Sequence, residues 1–353
     1  MELLRRGEVI GLPTETVYGL AADGTNPAAV RRIFEIKGRP TGHPLILHLG
    51  SVEWLPRYAA HIPEAAKLLA TRFWPGPLTL ILPRTQAVPD EVTGGLETVA
   101  LRVPNHPIAL QVLEKLDRPL AAPSANRFGR VSPTTRAHVL ADLEGDVPLV
   151  LEGGSSMVGV ESTIVDLSGE TPRLLRHGGI SQQAIEQVLG TTLEELIVIT
   201  SEQIRAPGML ESHYAPKAPV ELYARHEFFS RLREEHRAAP GTRRCLGALI
   251  CGASQAEIDA IGPNVRVLAP AELRVESFRY YRQDGQTPWL ELAVVPGGAT
   301  ELAHSVYGAL RYLDSLEVDV ILASSPDGDG LGRAVQDRLA RAAAPRPDAS
   351  CKA

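Results

Sequence analysis

"TNPAAVRRIFEIKGRPTGHPLILH", residues 25–48, passes from a helix through a cationic loop into a strand. Asn26 suits the N-cap and Pro27 the first helical position, while Val30, Ile33 and Phe34 follow helical spacing up to Gly38, which is placed to end the helix. The apolar run that follows, "LILHL", reads as a strand, and the same alternation continues on both sides. "VIGLPT" (9–14), "LTLILP", "TVALRVP", "TIVDL" and "RLLR" are strand-like, and the stretches near 62–73, 106–116, 133–140 and 181–189 are helix-like. Some strands are separated only by turns such as "PGP" at 75–77, so an α/β domain with a mixed sheet is expected.

Between about 198 and 220 the pattern breaks. "ITSEQIRAPGMLESHYAPKAPVELY" carries three prolines and no period, and reads as an interdomain linker. Beyond it, "CLGALIC", "VRVLA" and "VDVILASS" with helices near 225–238, 300–315 and 331–344 suggest a smaller α/β domain with a parallel sheet. Segment 270–298 shows no clean periodicity and receives no assignment. The expected layout is a first domain over 1–197, a linker over 198–219 and a second domain over 220–345.

Composition narrows the function. The 353 residues exceed the ~100 to 200 of one domain. No apolar run approaches the ~20 residues of a membrane span, and the N-terminus lacks a secretory pattern, so a cytoplasmic protein is expected. Cys245, Cys251 and Cys351 show no C-x-x-C spacing, which points to neither a disulfide framework nor a zinc site. Net charge is -6, with 18 Lys and Arg against 22 Asp and Glu in residues 1–200, so that half is not a basic nucleic-acid domain. Its cations Lys37, Arg39, Arg102, Arg127, Arg130, Arg173 and Arg176 nevertheless fall at strand ends and in loops, which suits a local anionic ligand.

Several sites compete with plainer readings. A lone surface Lys or Arg is usually solvated, but Lys37 and Arg39 flank a glycine in a loop restrained by Pro40 and Pro44, so their heads can converge on a triphosphate. No G-x-x-x-x-G-K-[ST] occurs, and "DGDGLG" (327–332) lacks dinucleotide spacing and reads as a tight turn. His48 shares a face with Ile46 and is either a ligand contact or a satisfied core histidine. An N-cap role explains Ser132 fully but not Ser124-x-Asn126 beside three arginines. Ser162 and Thr163 follow a Gly-rich turn, where ligand contact and turn chemistry are equally good readings. No nucleophile has a recognisable base, which disfavours covalent catalysis.

In order, "PTETVYGL", "KGRPTGHPLILH", "FWPGPLTLIL", "ALRVPNHP", "APSANRFGRVSPT", "GVESTIVD" and "LLRHGG" resemble the YrdC-like family of threonylcarbamoyl-AMP synthases across residues 1 to about 190. "PGMLESHYAP", "LRYLD" and "GLGRAVQDRLARAA" resemble the linker and Rossmann-like C-terminal domain of its long form. The resemblance implies a transferase, a nucleotidyltransferase of tRNA modification. It would convert L-threonine, bicarbonate and ATP to threonylcarbamoyl-AMP and pyrophosphate, the first step towards threonylcarbamoyladenosine beside the tRNA anticodon. It implies that Lys37, Arg39 and His43 line the triphosphate, with Lys37 and Arg39 catalytic. Thr98, Ser124, Asn126, Ser132, Arg176 and Tyr214 would complete the ATP site, Tyr214 as a lid, and Thr16, His48, Arg102, Ala122 and Ser162 would hold threonine. Mg²⁺ is expected on the phosphates and no protein metal cage. The product would pass to the tRNA threonylcarbamoyl transfer machinery, with no membrane and weak or absent direct tRNA binding. At His43 such proteins often carry an asparagine-like side chain. Two rivals are an RNA-binding module on a YrdC-like fold, which the acidic halves oppose, and a hydrogenase-maturation carbamoyl enzyme, whose zinc-finger cysteines the first 244 residues lack.

Overall fold

The helix Pro27–Lys37 starts and stops for local reasons. Asn26 Oδ1 accepts from the N–H groups of Ala28 and Ala29 at 3.1 and 3.3 Å. Gly38 ends the helix with φ at 63°, a left-handed conformation that a Cβ would strain. The computed structural model describes residues 1–195, 213–237, 244–270, 273–281, 288–326, 328 and 330–345. They form two compact units, one of residues 1–128 and 132–195, the other of 129–131 and the described residues from 213 onward. The expected linker lies outside the described residues as far as 212, as do Asp327 and Asp329 of "DGDGLG" and Cys351.

In chain order the first unit has strands β1 (Ile10–Leu12), β2 (Gly19–Asp23), β3 (Ile46–His48), β4 (Leu78–Pro83), β5 (Thr98–Arg102), β6 (Leu120–Ala121), β7 (Thr163–Asp166), β8 (Arg173–Arg176) and β9 (Glu194–Glu195). They form one sheet in the order β1-β2-β6-β3-β5-β4-β7-β8-β9. β3 and β5, β4 and β7, and β8 and β9 are parallel and the remaining neighbours antiparallel, the mixed sheet expected, although the "PGP" turn at 75–77 joins the helix Glu64–Phe73 to β4 and does not separate two strands.

Strand alternation gives this sheet two unlike faces. Leu45, Leu47, Leu49, Leu78, Leu80, Leu82, Val99 and Leu101 bury one face in the core with Val30, Ile33, Phe34 and Leu69 of the helices. Truncating one such leucine to alanine costs about 2–5 kcal/mol, so this face anchors the unit. The other face has a small apolar patch, Ile46, Ile81, Ala100, Ile164 and Leu175. Two residues further along the strands that face turns polar, with His48, Thr79 and Arg102 all buried.

The second unit has strands β10 (Val220–Tyr223), β11 (Leu246–Cys251), β12 (Asn264–Val267), β13 (Glu276–Tyr281), β14 (Pro288–Val295) and β15 (Val320–Ser324), ordered β10-β15-β11-β14-β13-β12. The expected parallel sheet is present as β10, β15, β11 and β14. β13 and β12 add an antiparallel edge. β13 and β14 come from the unassigned 270–298 stretch. β14 is buried at every position but its first, so it has no alternation to read, and its Glu291 hides by accepting from Ser277, Arg279 and Tyr312 at 2.6, 2.8 and 2.6 Å.

Candidate functional site

The loop that closes the helix Pro27–Lys37 is pinned by a segment nearly ninety residues away. Lys37, 3% exposed, donates from Nζ to the carbonyl oxygens of Ser124 and Asn126, the latter at 2.6 Å. Its own carbonyl accepts from the N–H of Phe128 at 2.8 Å. Burial, then the positive charge of Arg39, holds the Lys37 ammonium well below the ordinary lysine range. The charged form is therefore costly in the free protein, and an anion beside it would offset that cost.

Arg39 donates from Nη2 to Pro44 O at 3.0 Å, and its guanidinium lies 5.8 Å from the centroid of the Phe128 ring. The His43 ring is 5.7 Å from the same phenyl group, and burial followed by Arg39 pushes its pKa down. Phe128 therefore organises the cationic loop, a role that "SANRFGR" does not disclose in sequence because nothing there says which loop the phenyl ring meets.

Ser132 departs from the N-cap reading. The cap of helix Arg136–Leu143 is Thr135, whose hydroxyl accepts from His138 N at 3.2 Å. The backbone before it is committed elsewhere, Pro133 O accepting from Tyr18 N and Thr134 O from Ser156 N, so the helix cannot begin earlier. The Ser132 hydroxyl instead donates to Glu161 Oε1 at 2.7 Å, both residues being buried.

Ser162 immediately precedes β7. Its hydroxyl is 2.8 Å from Thr79 Oγ1 and accepts from Arg176 Nη2 at 3.1 Å, while Arg176 Nε donates to Ser162 O at 3.0 Å. These contacts tie Ser162 to Thr79 and Arg176 across the sheet. Thr163 is structural, its hydroxyl donating to Ile180 O at 2.6 Å.

Arg102 ends β5 with a side chain 4% exposed, opposite His48 in the parallel register. Nε donates to Gly76 O at 3.2 Å, Nη1 to Thr16 Oγ1 at 2.9 Å, and Nη2 lies 2.6 Å from Glu15 Oε1. Thr16 and Thr14 share a hydroxyl contact of 2.9 Å, which fixes the "PTET" loop over the polar face of the sheet. Burial, then the Arg102 charge, drives His48 down to about 3, so its imidazole is neutral near neutral pH. Ala122 closes the floor, its N–H donating to Ile46 O at 3.1 Å.

These two clusters share walls. Ser124, whose carbonyl holds Lys37, bridges to Gly19, and Ala125 N donates to Tyr18 O at 2.8 Å, just beyond the Thr16 that holds Arg102. Lys37, Arg39, His43, Ser124, Asn126, Ser132 and Arg176 and the threonine candidates Thr16, His48, Arg102, Ala122 and Ser162 thus belong to one framework of loops over one sheet. Thr98 stands apart from Arg102, four residues away at the other end of β5, roughly 13 Å along the strand. Tyr214 belongs to the second unit, where it is buried with φ at 62°, its ring 4.2 Å from His213 and 5.7 Å from Tyr307 and under the Arg338 guanidinium at 5.3 Å. Arg127 and Arg173 form exposed ion pairs with Asp146 and Glu194. Glu15, Thr79, Phe128 and Glu161 contact these candidates directly and were not singled out by sequence reading. All four lie inside motifs quoted above, but nothing in those motifs says what each side chain meets.

Among the described residues no group of three His, Cys, Asp or Glu side chains converges as a metal site, so these residues do not fit a protein-built Mg²⁺ cage. No helix among them is long and apolar enough to cross a membrane.

Comparison with known proteins follows this division of the chain. A family model described as "Telomere recombination" matches residues 2–178, and one described as "Threonylcarbamoyl-AMP synthase, C-terminal domain" matches residues 180–344. The threonylcarbamoyl-AMP synthase of Pyrococcus abyssi is 41% identical over 96% of this chain and 91% of its own, and that of Bacillus subtilis 40% over 98% and 92%. The crystal structure of P. abyssi Sua5 complexed with L-threonine superposes with a TM-score of 0.80 at 38% identity, covering 97% of this chain and 92% of that one.

Proposed function

The chain belongs to the threonylcarbamoyl-AMP synthase family, and from that premise we propose that the polar face of its first sheet binds ATP and L-threonine side by side. The protein is an enzyme that makes threonylcarbamoyl-AMP for the modification of tRNA. What carries the reading of the site is the fastening of Lys37 to the Ser124 and Asn126 carbonyls, which joins the K-x-R and S-x-N segments into one cationic wall.

In this reading Lys37, Arg39 and His43 face the triphosphate, and Ser124, Asn126, Ser132 and Arg176 contact the rest of the nucleotide. Thr16, His48, Arg102, Ala122 and Ser162 hold threonine. Arg102 Nε and Nη1 are held by Gly76 O and Thr16 Oγ1, so the amino acid's carboxylate joins an oriented guanidinium, one that loses little freedom on binding. The amine of threonine captures carbon dioxide supplied by bicarbonate, and the new carbamate oxygen attacks the α-phosphorus while pyrophosphate leaves. Charge builds on the phosphate oxygens in that step, and preorganised cations in a dry site stabilise it. Mg²⁺ would accompany the phosphates of the nucleotide. No side chain is needed as nucleophile, and release of the labile product to the tRNA threonylcarbamoyl transfer machinery completes the role.

The test is pyrophosphate release by the purified full chain with ATP, bicarbonate and each amino acid in turn. Threonine alone is expected to support rapid release. No threonine-dependent release at saturating substrates would falsify the reading.

A further inference from the structure

Buried polar atoms in folded proteins almost always find hydrogen-bond partners, so a cluster without them marks the place where a ligand supplies them. Such a cluster surrounds Arg102. Both carboxylate oxygens of Glu15, Nη2 of Arg102 and Nδ1 of His48 are buried without a hydrogen bond. Glu15 Oε1 and Arg102 Nη2 are 2.6 Å apart but misaligned, so the pair attracts electrostatically and leaves its N–H and lone pairs for something else. The Glu15 side chain is 6% exposed, and its backbone is fixed by Val158 N donating to Glu15 O at 2.7 Å.

A buried carboxylate beside a guanidinium is a poor environment for a second carboxylate alone. An amino acid's carboxylate brought to Arg102 would place two negative charges around one positive charge, in a region where little water screens them. An ammonium group on the same ligand removes that imbalance. Anion and cation then alternate from Glu15 to Arg102 to the carboxylate to the ammonium and back to Glu15.

Resting on the threonine site proposed above, we infer that Glu15 is the residue that binds the ammonium of the amino acid substrate and so selects α-amino acids over other hydroxy acids. Attack on carbon dioxide needs the free amine, so one proton leaves the ammonium for solvent before the C–N bond forms and a second leaves as the carbamate forms, the hydroxide released when bicarbonate dehydrates taking up one of the two; the carbamate nitrogen keeps one N–H, and Glu15 still accepts from it. The role is one of binding and positioning, and no proton transfer is assigned to the carboxylate.

The experiment measures, by calorimetry on the full chain, the affinity of L-threonine and of (R)-3-hydroxybutyrate, which is threonine without its amine. Wild-type protein is expected to favour threonine by ~30-fold or more, as befits a desolvated ion pair. In Glu15→Gln, threonine affinity is expected to fall until the two ligands bind within ~3-fold of each other, while 3-hydroxybutyrate binds as before or more tightly because the opposing charge is gone. Glu15→Asp, which keeps the charge for Arg102 and thus the fold, is expected to lie between them. Equal weakening of both ligands in Glu15→Gln and Glu15→Asp would show that Glu15 acts only by holding Arg102, and unchanged threonine affinity would show that it does not touch the ligand; either overturns the inference. Wild-type protein that binds no threonine would instead remove the site reading itself, and the inference with it.

Discussion

Lys37 Nζ lies 2.6 Å from the carbonyl oxygen of Asn126 although 89 positions separate the two residues in the chain. The contact makes one wall out of two short segments, and it places an ammonium in a setting that favours its neutral form. Both consequences can be tested.

Lys37→Met is expected to lower the rate of pyrophosphate release by two orders of magnitude or more, the typical scale for loss of a preorganised charge at a developing anion. Threonine binding should persist. The Lys37 pKa is lowered in the free protein, and a polyanion raises it again, so ATP binding in the window between the two values takes up a proton. Calorimetry in buffers of different ionisation enthalpy should detect that uptake in wild type and not in Lys37→Met.

Arg102→Ala should weaken threonine by about 2–5 kcal/mol, the cost of removing one partner of a desolvated charge pair. ATP affinity, read in the same titrations, should change little. Parallel loss of both ligands would show that Arg102 supports the fold of the pocket and not the amino acid specifically.

His48 ties stability to acid. Its folded pKa is about 3 against an ordinary 6.5, so the unfolded chain binds the extra proton between those values. Stability from this group is therefore complete above pH 6.5 and is lost as pH falls towards 3, on the order of 5 kcal/mol in all. Denaturant unfolding of the first unit followed from pH 7 to pH 4 should show the loss, and His48→Gln should flatten it.

Gly178 is needed for a close approach. A Cβ there would come within 2.3 Å of Glu161 O, Ser162 C and Thr163 N, all backbone atoms that cannot step aside. Gly178→Ala should cost about 1–3 kcal/mol as an overpacking strain and displace Ser162, so threonine binding falls with stability. Gly190→Ala, at a helix end with φ at 67° and open space around it, should cost about 1–2 kcal/mol through backbone strain alone and leave both ligands unaffected.

The first unit should stand alone. Truncation after residue 200 is expected to leave a cooperatively folding, threonine-binding enzyme of lower turnover, measured by thermal unfolding and pyrophosphate release. Unchanged turnover would show that the residues beyond 200, Tyr214 among them, contribute nothing to catalysis.

Much of this was legible in the chain. Asn26, Pro27 and Gly38 bound their helix by contacts within a few residues, so sequence was enough to place it. The mixed sheet followed from strands joined by turns too short for a helix. β14 escaped, because a strand buried on both faces has no alternation. Ser132 was misread as a cap because its true partner, Glu161, is remote in sequence.

By itself the sequence determined the α/β alternation, the order of the polar segments and the residue types offered to an anion and an amino acid, because propensity, capping and periodicity act over a few neighbouring positions. Which of those residues face one another was decided only by tertiary structure. The pairing of β3 with β5 puts His48 beside Arg102, and the fold of the "PTET" loop puts Glu15 against that guanidinium. Such contacts depend on register and burial across the whole sheet, and no local pattern encodes them.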